Sequence, residues 1–306
     1  MNQAFSVHHL SKWYRHRVVV DDVSFDVPFG AVTGILGPNG AGKSTTMRML
    51  VGLVRPSHGE VLIEGQRPID IPTLGKRVGG VFEQSGFYGG CTAQDVLRIG
   101  ALSMGVPGTR VNSVLDQVGL RSVANRNAKR LSQGMRQRLQ LAIAILGDPD
   151  ILLLDEPMNG LDAATIKWFR EFMRNAAQSG KAVLVSSHIL AEMEQTIDRA
   201  IVISQGKIRA DCTLSELRQL GAEVRVTSSN ASLLGKTAQE AGTDVKFGVG
   251  SSQELLIQGV SSDQVQNWAS SKGITITNLL YNDGSLEQAY FSLVGRDLEA
   301  QAGSVR

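Results

Sequence analysis

A glycine-rich string between two regular segments constrains this chain more than any other feature. It reads Gly37-Pro38-Asn39-Gly40-Ala41-Gly42-Lys43-Ser44 and fits the pattern G-x-x-x-x-G-K-[ST]. Residues 31–37 are apolar and β-branched, which predicts a strand, and residues 43–51 have helical spacing. A strand, a tight loop and a helix in this order form the local structure that surrounds phosphate groups.

The residue types in this loop match the chemistry of a triphosphate with Mg²⁺. Backbone N–H groups can approach phosphate oxygens closely only where no Cβ intervenes, which accounts for Gly40 and Gly42. Lys43 supplies a positive charge for the β and γ oxygens, and the Ser44 hydroxyl is a ligand that suits Mg²⁺. We therefore predict a nucleotide site formed by nine consecutive residues: Gly37, Pro38, Asn39, Gly40, Ala41, Gly42, Lys43, Ser44 and Thr45.

Two acids follow a second apolar segment. Residues 151–154 read Ile-Leu-Leu-Leu and precede Asp155 and Glu156. A strand this apolar is buried in a sheet, so its acids emerge at the carboxyl edge, where open α/β folds bind ligands. We predict that Asp155 holds Mg²⁺ directly or through water. Glu156 is then placed to orient and deprotonate an attacking water molecule.

Composition excludes several other classes of protein. The chain has 306 residues, of which 42% are hydrophobic and 20% charged, and its net charge is only +2. These values argue against disorder and against a strongly basic nucleic-acid binder. Its two cysteines, Cys91 and Cys212, make a disulfide framework unexpected. The first residues lack a signal-peptide pattern and no apolar run approaches ~18 residues, so we expect a cytosolic chain that reaches a membrane only through a partner.

The pattern along the chain predicts two domains. Helical spacing dominates from about 92 to 150, and an apolar segment at 182–186 follows a predicted helix at 163–178. Strands this apolar, joined through a helix, indicate a parallel sheet with helices packed on it. We therefore predict an α/β domain over 1–220 with a helical subdomain at about 92–150. A small α+β domain of βαββαβα order follows over 221–306.

Four further motifs carry a resemblance to a known family. Leu131-Ser132-Gln133-Gly134-Met135 resembles the signature sequence of ABC-type ATPases, with LSQGM in place of LSGGQ. Asn159-Gly160-Leu161-Asp162 resembles the D-loop, and His188 lies where that family has its switch histidine. Tyr14 occupies the position of an aromatic residue that stacks on adenine. The resemblance covers about residues 4–220 and identifies the chain as similar to the ATP-binding subunit of an ABC transporter, a P-loop ATPase.

The resemblance implies a role for each of these residues. Ser132 and Gly134 would press on the γ-phosphate of ATP held by the opposite subunit, so that two chains form a head-to-tail homodimer. His188 would contact the γ-phosphate and sense hydrolysis. Tyr14 would stack on adenine, although Tyr14 or its neighbour Trp13 could instead belong to the core. The implied ligands are ATP and Mg²⁺.

The chain departs from the family pattern after the predicted strand at 78–82. Alignment on Gly86-Phe87-Tyr88 places Glu83 at the family's Q-loop glutamine, whereas a slip of one residue would restore Gln84. This position normally touches Mg²⁺ and the attacking water. A carboxylate there would need a nearby positive charge, because like charges at close range repel.

The family resemblance also implies partners and a location. A hydrophobic permease subunit would anchor the chain at the cytoplasmic face of the membrane. The tail near Leu286-Glu287-Gln288-Ala289-Tyr290-Phe291 resembles that of ABC-2 type exporters of drugs, antibiotics or lipid-like substrates, including resistance systems. We expect no nucleic-acid partner. The alternatives are a soluble ABC ATPase and a regulatory subunit that hydrolyses little ATP.

Overall fold

The computed structural model divides the chain into two compact units. It describes residues 3–82, 87, 90–248 and 251–303, with 296–303 described as backbone only. The first unit is Met1–Asp211 and the second is Cys212–Arg306, so the division lies before the boundary predicted at 220/221. The reason is local: a capping box of Thr213 and Glu216 starts a helix at Leu214–Leu220, and that helix packs on the last helix of the chain.

The first unit contains both strands and helices. Its strands are β1 (Gln3–Tyr14), β2 (Arg17–Pro28), β3 (Val32–Leu36), β4 (His58–Ile63), β5 (Val78–Val81), β6 (Ile151–Asp155), β7 (Ala182–Ser187), β8 (Arg199–Ser204) and β9 (Lys207–Thr213). Its helices are α1 (Lys43–Leu50), α2 (Leu74–Arg77), α3 (Ala93–Met104), α4 (Thr109–Gln117), α5 (Gln133–Ala144), α6 (Ala163–Gln178) and α7 (Leu190–Glu194).

Two sheets build the first unit. The strand order is β2-β1-β4 in an antiparallel sheet and β5-β6-β7-β3-β8-β9 in the larger one. Strands β5, β6, β7, β3 and β8 run parallel, and every residue of β3, β6 and β7 is buried. The predicted parallel sheet of an α/β P-loop fold is thereby confirmed. Since β3, β6 and β7 are neighbours, their carboxyl ends lie side by side.

The helical segment lies between β5 and β6, as the sequence predicts. Helix α3 begins at a capping box in which Thr92 and Asp95 bond each other's backbone N–H groups. Helix α3 packs against both α4 and α5. The three helices bury apolar side chains that include Leu97, Leu115 and Leu139. The last of these helices is N-capped by Ser132, and α6 begins directly after the 159–162 segment.

The second unit is the predicted small α+β domain. Its elements are α8 (Leu214–Leu220), β10 (Glu223–Ser228), α9 (Ala231–Glu240), β11 (Val245–Phe247), β12 (Glu254–Gln258), α10 (Ser262–Ser271), β13 (Ile276–Asn282) and α11 (Leu286–Gly303). The strands form an antiparallel sheet of order β11-β12-β10-β13. One face packs on α9 and α10 around Val226, Leu234 and Ile257. Ser285 and Gln288 form the predicted capping box at the start of α11.

Within the ranges described above, none of the helices has the length and the apolar character needed to cross a membrane.

Candidate nucleotide site

The glycine-rich loop connects β3 to α1, as its sequence predicts. Gly42 has φ +105°, and a Cβ on it would lie 2.6 Å from the carbonyl oxygen of Val19. A Cβ on Gly37 would lie 2.3 Å from the carbonyl oxygen of Ile203. Side chains at these two positions would displace the backbone of β2 and β8, so the loop needs glycine there.

Lys43 points into this loop and not into solvent. Its side chain is only 6% exposed, and its ammonium group donates to the carbonyl oxygens of Gly37 at 2.7 Å and Pro38 at 3.3 Å. It also lies 3.4 Å from Glu156 Oε1. The Lys43 ammonium is therefore buried within the loop and has the Glu156 carboxylate beside it.

A cavity of about 420 Å³ opens over the loop. A volume of this size suits a small-molecule ligand. The residues that line it come from the loop, from the ends of β6 and β7, and from β2: Val19, Pro38, Asn39, Gly40, Ala41, Gly42, Lys43, Ser44, Thr45, Glu156, Asn159 and His188. The structure thus brings the loop and the residues after β6 and β7 together in one site.

Asp155 lies at the end of β6 against Ser44. Its side chain is buried, and its Oδ1 accepts from the hydroxyls of Ser44 at 3.0 Å and Ser186 at 2.6 Å. Its Oδ2 has no hydrogen-bond partner within the described part of the chain and is shielded from solvent. A buried carboxylate oxygen left unbonded is costly, and a hydroxyl and a carboxylate are ligands that Mg²⁺ accepts beside phosphate oxygens. The pair therefore fits the predicted cation.

Glu156 is held by two neighbours besides Lys43. Its backbone N–H donates to the Ser186 hydroxyl at 2.9 Å, and its Oε2 lies 2.9 Å from Nδ1 of His188. Its side chain is 11% exposed and its φ is +50°, in the left-handed region that side chains rarely adopt. Backbone strain of this kind persists only where surrounding contacts enforce it, and here it directs the carboxylate into the cavity.

The segment 131–135 lies outside the cavity over the loop. Ser132 caps α5 by accepting from the N–H of Met135 at 3.3 Å, and Gln133 donates to the carbonyl of Asn159 at 3.1 Å. A Cβ on Gly134 would lie 3.0 Å from Thr165 Oγ1, so this glycine also lets α5 pack closely on α6. Neither Ser132 nor Gly134 is among the described residues that line the cavity over the loop.

Tyr14 ends β1 with its ring half exposed. Trp13 is exposed to the same extent, at 47% against 48%, so neither ring belongs to the core. The Lys12 ammonium lies 4.9 Å from the centroid of the Tyr14 ring and donates to the carbonyl of Arg55. The ammonium therefore lies over one face of the ring, and about half of the Tyr14 surface stays exposed.

Comparison with known proteins agrees with this geometry. The family model described as ABC transporter matches residues 20–159. The lantibiotic transport ATP-binding protein SrtF of Streptococcus pyogenes is 37% identical over 202 residues, which are 66% of this chain and 87% of that protein. The chain belongs to the ABC transporter ATP-binding proteins.

Two further matches extend this result. The bacitracin transport ATP-binding protein BcrA of Enterococcus faecalis is 31% identical over 300 residues, covering 96% of this chain and 97% of that protein. A solved structure of the ATP-binding subunit of an ABC transporter has 31% identity and a TM-score of 0.65. It covers 71% of this chain and 92% of that one. The ABC-type fold predicted for the first unit is confirmed.

In this ABC transporter ATP-binding protein the cavity includes two residues that the sequence motifs do not predict there. Val19 comes from β2, and Asn159 from the D-loop segment. The signal for Asn159 was its place in the D-loop string, whereas a single valine in a strand carries no sequence signal. Glu83 and Gln84, the two candidates for the Q-loop position, lie outside the described residues.

Proposed function

We propose that this chain binds and hydrolyses ATP with Mg²⁺ and drives a separate membrane permease as the energy-coupling subunit of an exporter. The observation that carries the proposal is the meeting of Lys43, Ser44, Asp155, Glu156 and His188 around one cavity at the carboxyl ends of β3, β6 and β7. ATP-binding subunits of ABC transporters generally use this chemistry.

Each group has a distinct task in this proposal. The loop N–H groups and the Lys43 ammonium bind the β and γ phosphates, at the positive end of α1. Ser44 and Asp155 hold Mg²⁺, which neutralises charge on the phosphate oxygens when bound. Glu156 orients the attacking water and accepts its proton. His188, through its Nδ1 contact with Oε2, keeps that carboxylate aimed at the γ-phosphate.

The position of the signature segment supports a dimeric site. Ser132 and Gly134 serve α5 and α6 within their own chain, and the cavity over the loop does not include them. In a head-to-tail homodimer the N-terminus of α5 in one chain would meet the γ-phosphate bound by the other. The backbone N–H groups and the dipole of a helix N-terminus are suited to this contact.

The relatives' names support transport of an antibiotic-type peptide. SrtF is a lantibiotic transport protein and the Enterococcus faecalis BcrA a bacitracin transport protein. The alignment with BcrA runs through both units of this chain. We propose a substrate of that kind, or a drug or lipid-like molecule, and a position at the cytoplasmic face of the membrane held by the permease.

Reconstitution tests the whole proposal. Candidate hydrophobic multi-span proteins are co-expressed with the chain, and a complex that co-purifies is placed in lipid vesicles. We expect Mg²⁺-dependent ATP hydrolysis and bacitracin movement across the bilayer, both lost in Glu156→Gln. Hydrolysis without association with any membrane protein would instead support a soluble ABC ATPase. ATP binding without hydrolysis in the complex would support a regulatory subunit.

A further inference from the structure

The sheet of the second unit has two different edges. In the order β11-β12-β10-β13, the outer strands are β11 and β13. Strand β11 (Val245–Phe247) is three residues long and has Lys246 at its centre. A short edge strand with a lysine resists pairing with another chain, because any added strand gains few hydrogen bonds and must accommodate the charge.

Strand β13 has almost none of this protection. It is seven residues long, reads ITNLLYN, and contains neither a charged residue nor a proline. Within the described residues no strand pairs with its outer side. Its register with β10 shifts only between Ile276 and Asn278, which leaves the regular run Asn278–Asn282 with backbone groups available for a further strand.

Two large side chains of this run are also accessible. Leu280 is 56% exposed and Tyr281 42% exposed. Leu280 pairs with Arg225, which is exposed, so both lie on the sheet face opposite α9 and α10. An exposed leucine at the centre of an uncharged edge strand is a feature that isolated proteins usually avoid.

We propose that β13 pairs antiparallel with β13 of a second copy of this chain, which gives one continuous sheet across two chains. A two-fold axis through Leu280 places this leucine opposite its own equivalent. It also places Leu279 opposite Tyr281 and Asn278 opposite Asn282. A dimer of this kind is isologous, which means that both chains use the same surface. The outer edge of β13 must therefore donate and accept backbone hydrogen bonds in both chains, and an antiparallel pair meets this requirement.

Self-complementarity argues for a second copy over an unrelated partner. The paired positions are leucine with leucine, leucine with tyrosine, and asparagine with asparagine, so no like charges meet. The pairing involves only the second unit and needs no nucleotide, so it is independent of the ATP-dependent dimer of the proposed function.

Sedimentation of the full chain without nucleotide tests the pairing. We expect a concentration-dependent dimer for the native chain, and at least a tenfold weaker one for Leu280→Glu. Within its own chain the new carboxylate lies beside Arg225, so we expect the variant to fold. Across the two-fold axis the carboxylate lies opposite the same carboxylate of the second chain, and the two like charges repel. Leu233→Glu on α9 is the matched control, since Leu233 is also an exposed leucine of this unit and lies outside the proposed contact.

Two further experiments test the register of the two β13 strands: a mixture of oppositely charged variants, and a cysteine cross-link. Equal amounts of Leu280→Glu and Leu280→Lys chains should form a heterodimer that neither forms alone. Leu280→Cys should form a disulfide-linked dimer under mild oxidation and Leu233→Cys should not, because directly opposed residues of an antiparallel pair lie within disulfide reach. A native chain that stays monomeric without nucleotide would overturn the proposal, as would a Leu280→Glu dimer of native strength. The ATP-dependent dimer of Glu156→Gln tests the proposed function separately.

Discussion

Nδ1 of His188 lies 2.9 Å from Oε2 of Glu156, although the two residues follow different strands of the sheet. Strands β6 and β7 are parallel neighbours, with Asp155 paired to Ser186, so the residues after them emerge at the same edge. The contact holds the Glu156 carboxylate from one side while Lys43 lies 3.4 Å from its other oxygen. Carboxylate orientation in this site therefore depends on both a histidine and a lysine.

His188→Ala should lower the rate of ATP hydrolysis by roughly tenfold to a thousandfold, with little change in ATP affinity. The substitution removes a positioning contact from Glu156 and leaves the loop intact. Steady-state phosphate release and ATP binding are measured on the same preparation. His58→Ala is the control, because His58 is exposed on β4. A His188→Ala variant with native turnover would contradict the assigned contact.

Lys43→Ala should weaken ATP binding about tenfold to a hundredfold, because a charge-assisted hydrogen bond contributes about 1.5–3 kcal/mol. Adenosine should bind with nearly unchanged affinity, since it lacks the phosphates. Titration calorimetry with both ligands separates these effects. Lys167→Ala on the exposed surface of α6 serves as the control. Equal ATP affinity in Lys43→Ala would mean that the loop does not hold the phosphates.

Asp155→Asn should raise the Mg²⁺ concentration needed for half-maximal hydrolysis by at least about tenfold. The new amide oxygen can still accept hydrogen bonds from the Ser44 and Ser186 hydroxyls. The substitution removes the negative charge of the carboxylate, whose buried Oδ2 is available for the cation. Titration of Mg²⁺ into metal-depleted protein with ATP measures the change. Asp70→Asn, at an exposed position, should titrate like the native chain. An unchanged Mg²⁺ requirement in Asp155→Asn would remove this residue from the cation site.

A chain that ends after Thr213 should retain ATP binding. The compact first unit ends at Asp211, and strand β9 is complete at Thr213. The cavity over the loop involves only residues of this unit. ATP affinity of the truncated and full-length chains is compared by calorimetry, with circular dichroism to check folding. Loss of ATP binding in a folded truncated chain would contradict the proposed domain division.

Most of the architecture could be predicted from the sequence where patterns are regular. Helix α6 (Ala163–Gln178) has the predicted bounds, because its apolar spacing is unbroken. Strand β1 was not predicted. Its register with β2 shifts repeatedly, and His9 within it has φ +49°, so the alternation of buried and exposed residues is interrupted.

The chemistry of the candidate site was more predictable than its packing. Lys43, Asp155 and His188 could be found because each follows an apolar strand whose end the fold brings to one edge. The close approach of Gly134 to Thr165 could not be predicted, because it depends on how α5 and α6 pack in three dimensions. Contacts of this kind have no local sequence signal.

The rate of ATP hydrolysis by Glu156→Gln tests the central claim most directly. Glutamine keeps the size of the side chain and removes the group that accepts the proton from water. We expect ATP binding to persist, turnover to fall by about a hundredfold or more, and an ATP-bound dimer to accumulate. Glu60→Gln, at an exposed position of β4, should hydrolyse ATP at the native rate. Native turnover in a folded Glu156→Gln chain would show that this carboxylate does not activate the water.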